Sequence, residues 1–173
     1  MKEIYFKKLN HEDLNEDVFE KIYAVERNSN YEPYSKQQMQ SLVFDEKLDT
    51  FLCAIGEDVV GVATFNANTK KYPNSIYMIN LTVLPQFQGQ GLAKRLMLCA
   101  FRFYEKNESE WISNEVDRTN EKALGLYKKL GFAEVEELCD DESLFLIVKK
   151  DEFGKRLQEI IGAKEKNWAL CIT

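Results

Sequence analysis

The segment LPQFQGQGLAKRL, residues 84–96, lies where an apolar strand should give way to a helix. The run before it, SIYMINLTVLP, is nearly all apolar and ends at Pro85, which cannot donate to a strand ladder. After the segment begins, apolar side chains recur at helical spacing, at Leu92, Leu96, Cys99 and Phe103. This pattern predicts a buried strand, a glycine-containing turn and a helix whose wide apolar face packs on a sheet.

Two glycines, Gly89 and Gly91, stand in that turn. The first N–H groups of a helix lack internal partners, and the helix dipole adds partial positive charge at that end. Because glycine has no Cβ, the main chain could close around an anion such as a diphosphate. A plain strand-to-helix turn fits the same residues. A dinucleotide-binding loop fits poorly because Lys94 stands where its third glycine would be, and no Gly-Lys-Ser/Thr of a P-loop follows.

A second informative segment, EVDRTNEKALGLYKKLGF, covers residues 115–132. Asn120 and Tyr127 are seven residues apart, which is two helical turns, so they share one side of a helix with the small Ala123 between them. A ligand could approach over the alanine and meet the phenol. The same residues also suit a helix cap and a half-buried core tyrosine, and this segment alone does not decide between the two.

The predicted elements follow the order β-α-α-β-β-β-α-β-α-β-β. This order indicates an α/β (α+β) fold with a mixed central sheet of about seven strands and helices on both faces. Residues 1–150 are predicted to form a single domain, with residues 151–173 as a terminal helix and tail packed on it. The first helix should start at the signal in residues 10–13, residues 132–138 should form a strand, and the last helix should run from 151 to about 166.

Taken together, the two segments resemble the GNAT superfamily of N-acetyltransferases. The pattern Q-x-x-G-x-A follows a strand that ends in V-x-P, and N-x-x-A-x-x-L-Y-x-x-L-G-F comes downstream. The likeness covers residues 75–132 in motif detail, and its site layout looks like that of the ribosomal-protein alanine N-acetyltransferases. The resemblance implies transfer of acetyl from acetyl-CoA to a primary amine of a small molecule or peptide. A non-catalytic acyl-CoA-binding sensor is the alternative, and a nucleotide-binding α/β protein is a weaker one.

The resemblance also implies where acetyl-CoA would bind. It would enter a V-shaped opening between two splayed parallel strands, residues 76–84 and 110–116. The main chain of Leu81, Thr82 and Val83 would pair with the pantetheine arm, and the Val83 amide would donate to the thioester oxygen.

By the same resemblance, the pyrophosphate would bind at the glycine turn. Gln88 matches the position that opens this motif. Asn120 would contact the pantetheine region, and Tyr127 would lie near the CoA sulfur. The turn residues implied to hold the pyrophosphate are Gly89, Gln90, Gly91, Leu92, Ala93 and Lys94.

The chemistry of amide formation requires a neutral amine and a proton for the departing thiolate. A free lysine amine with a pKa of about 10.4 is almost wholly protonated at neutral pH, so a base is useful. Glu115 stands five residues before Asn120, where the resemblance implies a glutamate base, although a solvated strand glutamate would look the same. A water chain that includes Asn80 is the alternative base. Tyr127 is the predicted general acid.

The amine acceptor is expected at two loops, residues 28–35 and 139–143, by the same resemblance. Tyr31 and Tyr34 could cover an alkyl chain or a peptide backbone. Acidic side chains in these loops would attract a cationic amine, although acidic turns are commonly just solvated. These side chains are Glu32, Asp140, Asp141 and Glu142.

Composition narrows the remaining choices. The formal charge of −6 argues against nucleic-acid binding, and no apolar run is long enough for a membrane span. The single histidine, His11, disfavours a metal site or a histidine-containing triad. The four cysteines are far apart, which favours reduced thiols in a cytoplasmic protein. A monomer or a homodimer is expected.

Overall fold

The computed structural model describes residues 3–29, 33–162 and 171–172, the last two by their main chain only. Within these residues, one sheet has the strand order β6-β7-β5-β4-β3-β2-β1-β8. The strands are β1 Ile4–Lys8, β2 Asp49–Ile55, β3 Asp58–Asn66, β4 Ser75–Val83, β5 Trp111–Asp117, β6 Ala133–Glu134, β7 Ser143–Lys149 and β8 Cys171–Ile172. Only the β4/β5 and β1/β8 pairs are parallel. The mixed sheet confirms the predicted fold class, and β8 adds a strand that was not predicted.

Helices cover both faces of this sheet. They are α1 Glu16–Arg27, α2 Lys36–Val43, α3 Leu92–Phe103, α4 Glu121–Lys129 and α5 Lys150–Ile161. On one side, which we call the α1 face, Phe19, Ile22 and Met39 pack against Leu52 and Val62. On the other side, the α3 face, the buried core includes side chains of α3, α4 and α5, among them Leu96, Met97, Tyr127 and Leu157. The prediction of helices on both faces is confirmed.

The predicted start of the first helix is wrong. Residues His11–Asp13 form a 3₁₀ turn, and α1 begins at Glu16. The Asp13 carboxylate accepts a hydrogen bond from the Asn10 amide at 3.0 Å and pairs with Lys7 at 2.5 Å, which closes the turn on β1. Asn15 then caps α1 by accepting from the Val18 amide at 3.0 Å.

Two further boundaries differ from the prediction. Residues 132–138 contribute only the short β6 and a 3₁₀ turn, Glu136–Leu138. The last helix ends at Ile161, before Gly162 with φ of 81°, and the predicted continuation beyond Gly162 lies outside the described residues. The last helix packs closely on α3 at Gly154, where a Cβ would lie only 2.2 Å from the Phe101 ring. The division at residue 150 stays a prediction.

A β-bulge in β4 decides which side chains share a face. Thr64 of β3 pairs with Asn80, and the next residue, Phe65, pairs with Met78, so Ile79 is the extra residue. One extra residue reverses the alternation of side chains along the strand. Tyr77 before the bulge and Asn80 after it therefore point to the same face, the α1 face.

The two parallel strands separate just after the bulge. Residues 75–78 of β4 pair with residues 111–114 of β5. Beyond that point, β4 pairs only with β3, and β5 pairs only with β7. The result is an opening between residues 80–83 and 115–117, which we call the fork.

The cysteines differ from the expectation of reduced thiols. Cys53 and Cys139 are free, whereas Cys99 is disulfide-bonded. The expectation of a reduced thiol is therefore wrong at Cys99. None of the described helices is long and apolar enough to cross a bilayer.

Candidate active site

The inner edge of β4 offers main-chain donors to the fork. The Leu84 amide donates to the Val60 carbonyl of β3 at 2.9 Å. Because N–H groups alternate in direction along an antiparallel strand, Thr82 also faces β3, whereas Leu81 and Val83 direct their N–H groups into the fork. The structure thus brings Leu81 and Val83 to the predicted place, but not the main chain of Thr82.

The glycine turn has unpartnered amides and open space. Gly89 and Gly91 have φ of 77° and 80°, in the left-handed region that favours glycine. No atom lies within 4 Å of the place a Cβ on Gly89 would take, and at Gly91 only the Lys94 side chain does, at 3.8 Å. The first helical bond runs from the Arg95 amide to Gly91, and the amides of residues 89–94 donate to no other described residue. An anion could therefore reach several N–H groups at once.

The side chain of Gln88 ties this turn to its neighbours. Its Nε2 donates to the Val83 carbonyl at 2.8 Å, and its Oε1 accepts from the Lys122 ammonium of α4. Asn120 caps α4 by accepting from the Ala123 amide at 3.0 Å. The predicted residues Gln88 and Asn120 thus hold the turn and the start of α4 in place around the mouth of the fork.

Tyr127 lies on the α3 face, where it is 7% exposed and packs against Phe132 with ring centroids 5.2 Å apart. Burial raises the pKa of Tyr127 to about 12, and the nearby Asn114 side chain opposes part of that rise. Asn114 is 1% exposed, yet neither polar atom of its side chain meets the geometry of a hydrogen bond with any described residue. The phenol therefore keeps its proton at neutral pH, and the buried Asn114 amide beside it interacts with it without forming a well-aligned hydrogen bond.

Glu115 lies on the opposite face of the sheet from Tyr127. Its Oε2 accepts from the Tyr77 hydroxyl at 2.9 Å and pairs with the Lys71 ammonium at 2.8 Å. Burial, and next the Glu115 charge, raise the pKa of Tyr77. Burial also raises the pKa of Tyr34, with smaller contributions from the charges of Glu26 and Glu115. Glu115 is thus not a free carboxylate but the acceptor of an ammonium and a hydroxyl.

Sequence reasoning missed a second carboxylate on that face, Glu26 of α1. It is 4% exposed, and its Oε1 accepts from the Tyr34 amide at 3.1 Å. Its Oε2 accepts from Asn80 at 3.2 Å and from the Thr82 hydroxyl at 3.0 Å. The signal was present, because Glu26 follows Ile22 by four residues and so falls on the apolar face of α1.

Asn114 was missed for a similar reason. It lies on the same face of β5 as Ile112 and Val116, whose side chains belong to the core of the α3 face. A polar residue at a core-facing position of a strand is the signal that could have found it. Lys71 had no such signal, because it comes from the loop between β3 and β4.

Residues 15–132 match the model of the acetyltransferase (GNAT) family. The chain belongs to that family. This confirms the resemblance on which the expected site was built.

Solved structures of GNAT proteins share the fold. The chain is similar to the ribosomal-protein-S18-alanine N-acetyltransferase from Escherichia coli, with a TM-score of 0.68 and 19% identity over 84% of this chain and 93% of that chain. It is also similar to the PaiA N-acetyltransferase from Thermoplasma acidophilum in complex with coenzyme A, with a TM-score of 0.67 and 18% identity over 84% and 98%.

A curated relative matches over a shorter region. This is the mycothiol acetyltransferase of Nocardiopsis dassonvillei, 36% identical over 58 residues, or 34% of this chain. The match spans only 17% of that protein's length.

The predicted acceptor loops of this GNAT protein are partly described. Tyr31 and Glu32 lie outside the described residues. Asp140 closes the second loop by accepting from the amides of Glu142 at 2.9 Å and Ser143 at 2.6 Å, and these bonds lower the pKa of Asp140. This loop leads into β7 at the end of β5 where the fork opens, since Asp117 pairs with Ser143.

Proposed function

We propose that this protein transfers the acetyl group of acetyl-CoA directly to a primary amine. The observation that carries the proposal is the fork, in which two inward N–H groups of β4 lead to a glycine turn with unpartnered amides. An extended chain carrying amides suits the edge of β4, and a diphosphate suits the turn. One of the similar GNAT structures, from Thermoplasma acidophilum, is a complex with coenzyme A.

In this proposal, main-chain groups hold the donor. The turn amides of residues 89–94 bind the pyrophosphate, and the ammonium of Lys122, already at Gln88, adds positive charge nearby. The pantetheine arm lies along Leu81 and Val83. The Val83 N–H donates to the thioester oxygen and stabilises its charge in the tetrahedral intermediate, because a fixed donor needs no reorganisation as the charge develops.

Tyr127 acts on the departing sulfur. Its phenol is protonated at neutral pH, since burial raises its pKa to about 12. Donation is needed only as the C–S bond breaks and negative charge develops on sulfur. The CoA thiolate, whose thiol has an ordinary pKa of about 8.5, is a weaker base than the phenolate, so Tyr127 contributes mainly as a hydrogen-bond donor. The net proton gain by sulfur is driven by proton loss from the amine.

Glu115 is the proposed base. The amine arrives protonated on the α1 face and must lose its proton before it attacks. Glu26 lies on the same face, and its bond to Asn80 makes a relay through Asn80 and water the second route. Two carboxylates on one side of the fork favour a cationic acceptor such as a lysine side chain, a peptide N-terminus or a polyamine.

The test is CoA release from acetyl-CoA against a mixed library of primary amines. Transfer to at least one amine, with loss of transfer in Gly91→Glu, is the expected result. Tight CoA binding without transfer to any amine would replace the enzyme by a non-catalytic acyl-CoA sensor. The proposed location is the cytoplasm and the proposed state a monomer or homodimer; light scattering on the purified protein tests the latter.

A further inference from the structure

The ammonium of Lys71 contacts both a carboxylate and an aromatic side chain. Its Nζ lies 2.8 Å from Glu115 Oε2, 3.1 Å from the Tyr77 hydroxyl oxygen and 4.7 Å from the centroid of the Tyr77 ring. The Tyr77 hydroxyl in turn donates to the same carboxylate oxygen at 2.9 Å. A carboxylate beside an aromatic face is the combination that binds organic ammonium groups.

This ammonium site lies at the apex of the fork. Asn114 is the last residue of β5 that pairs with β4, and Glu115 is the first residue beyond that pairing. Tyr77 belongs to the paired part of β4 and stacks on Phe145, with ring planes 4° apart and centroids 6.3 Å apart. The site is therefore on the α1 face, at the point where the two strands separate.

A base must lie within hydrogen-bond reach of the amine that it deprotonates. If Glu115 is the base, an acceptor nitrogen within reach of its Oε2 takes the place that Lys71 Nζ already holds. The Lys71 side chain is 49% exposed and comes from the loop between β3 and β4, so other molecules can reach its ammonium. Lys71 is thus a resident amine at the proposed acceptor position.

We propose that Lys71 is a site of self-acetylation, and that its ammonium competes with the free acceptor until it is displaced or acetylated. The proposal rests on the proposed function. The Lys71 amine gives its proton to Glu115 and attacks the acyl carbon of acetyl-CoA. An N–C amide bond forms, the C–S bond breaks, and the departing sulfur gains a proton to leave as CoA thiol.

Acetylation would change the charge at the fork. An acetyl-lysine has no positive charge, so Glu115 would lose its ion-pair partner. The loop between β3 and β4 would lose the same contact. Self-acetylation is therefore expected to clear the acceptor position for a free amine, a regulation built from the reaction itself.

The neighbouring Lys70 provides a matched control. It is exposed, on the same loop, and makes none of the contacts to Glu115 and Tyr77 that Lys71 makes. The full chain is incubated with isotopically labelled acetyl-CoA and no acceptor, and acetylation at both lysines is followed by peptide mass spectrometry. Lys71 should be acetylated about 100-fold faster than Lys70, the lower range of general acid–base catalysis.

Variants separate self-acetylation from simple chemical reactivity. Lys71→Arg keeps the positive charge and should remove most of the label, whereas Lys70→Arg should leave it unchanged. Glu115→Gln and Gly91→Glu should reduce the Lys71 rate to that of Lys70. The first-order rate should not change with protein concentration, since the reaction is intramolecular.

Equal rates at Lys70 and Lys71, or a Lys71 rate that rises with protein concentration, would overturn the inference. Transfer to free amines without Lys71 acetylation would overturn it and leave the proposed function standing. Lys71 acetylation that requires Glu115 would support it even if no amine in the library is accepted.

Discussion

Replacing Asn114 with leucine should stabilise the protein and weaken its activity. Asn114 is 1% exposed, and both polar atoms of its side chain lack well-aligned hydrogen-bond partners among the described residues. Its neighbours on the same side of β5, Ile112 and Val116, belong to the core. Leucine has the same branching as asparagine and carries no polar atom to bury.

The magnitude follows from the cost of a buried unsatisfied group, about 1–3 kcal/mol. The Asn114→Leu change removes that cost, and any overpacking by the larger methyl groups subtracts from the gain. We expect a net increase of about 1 kcal/mol in the free energy of unfolding, which for a chain of this size raises the Tm by about 2–4 °C.

Activity should move in the opposite direction. The Asn114 side chain opposes the rise in the Tyr127 pKa, so it stabilises negative charge on the phenol oxygen. That charge increases as the phenol donates its hydrogen bond to the departing sulfur. One hydrogen bond of about 1.4 kcal/mol in the transition state corresponds to a factor of about ten in kcat. Such a trade of stability for function is common at active sites.

Thermal and urea unfolding of the ligand-free protein measure the first effect. Ser113→Ala on the same strand is the matched control: Ser113 is hydrogen-bonded to Ser75 at 2.9 Å, so its removal should destabilise. A loss of 1 kcal/mol or more in Asn114→Leu, about the worth of one hydrogen bond, would mean that the amide is satisfied in the ligand-free protein, and the reasoning would fail.

Three further variants test the proposed roles. Tyr127→Phe should lower kcat with little change in acetyl-CoA affinity. It should also resist alkali better than wild type, because the native state raises the Tyr127 pKa from 10.0 to about 12. The protonated phenol therefore contributes fully to the free energy of unfolding of wild type below pH 10, and this contribution is lost as the pH rises to about 12. Measured by unfolding, that difference should reach about 2–3 kcal/mol, and identical alkaline curves would remove the buried phenol from the account. Gly91→Glu should abolish CoA binding through strain at positive φ and charge repulsion, as calorimetry would detect; retained affinity would place the phosphates elsewhere. Glu115→Gln should move or remove the acidic limb of the pH–rate profile, and a profile like wild type would shift the role of base to Glu26.

Local rules were enough for the strand, turn and helix of the proposed donor site. Glycines at positive φ, unpartnered amides at the start of α3 and a cap at Asn120 depend on residues that are neighbours in sequence. Helical and strand periodicity also predicted the fold class. Short-range patterns could not place residues 132–138, because the final turn depends on how Val135 and Cys139 meet β7.

The proposed acceptor side of the fork depended on the tertiary structure. Glu26 meets Asn80, 54 residues away, and Lys71 meets Glu115, 44 residues away. The bulge at Ile79 decides the first of these contacts, because the extra residue turns the side chains of Asn80 and Thr82 toward α1. Periodicity assigns a side chain to a face within one element, but which residues of other elements lie opposite that face is decided only when the chain packs against itself.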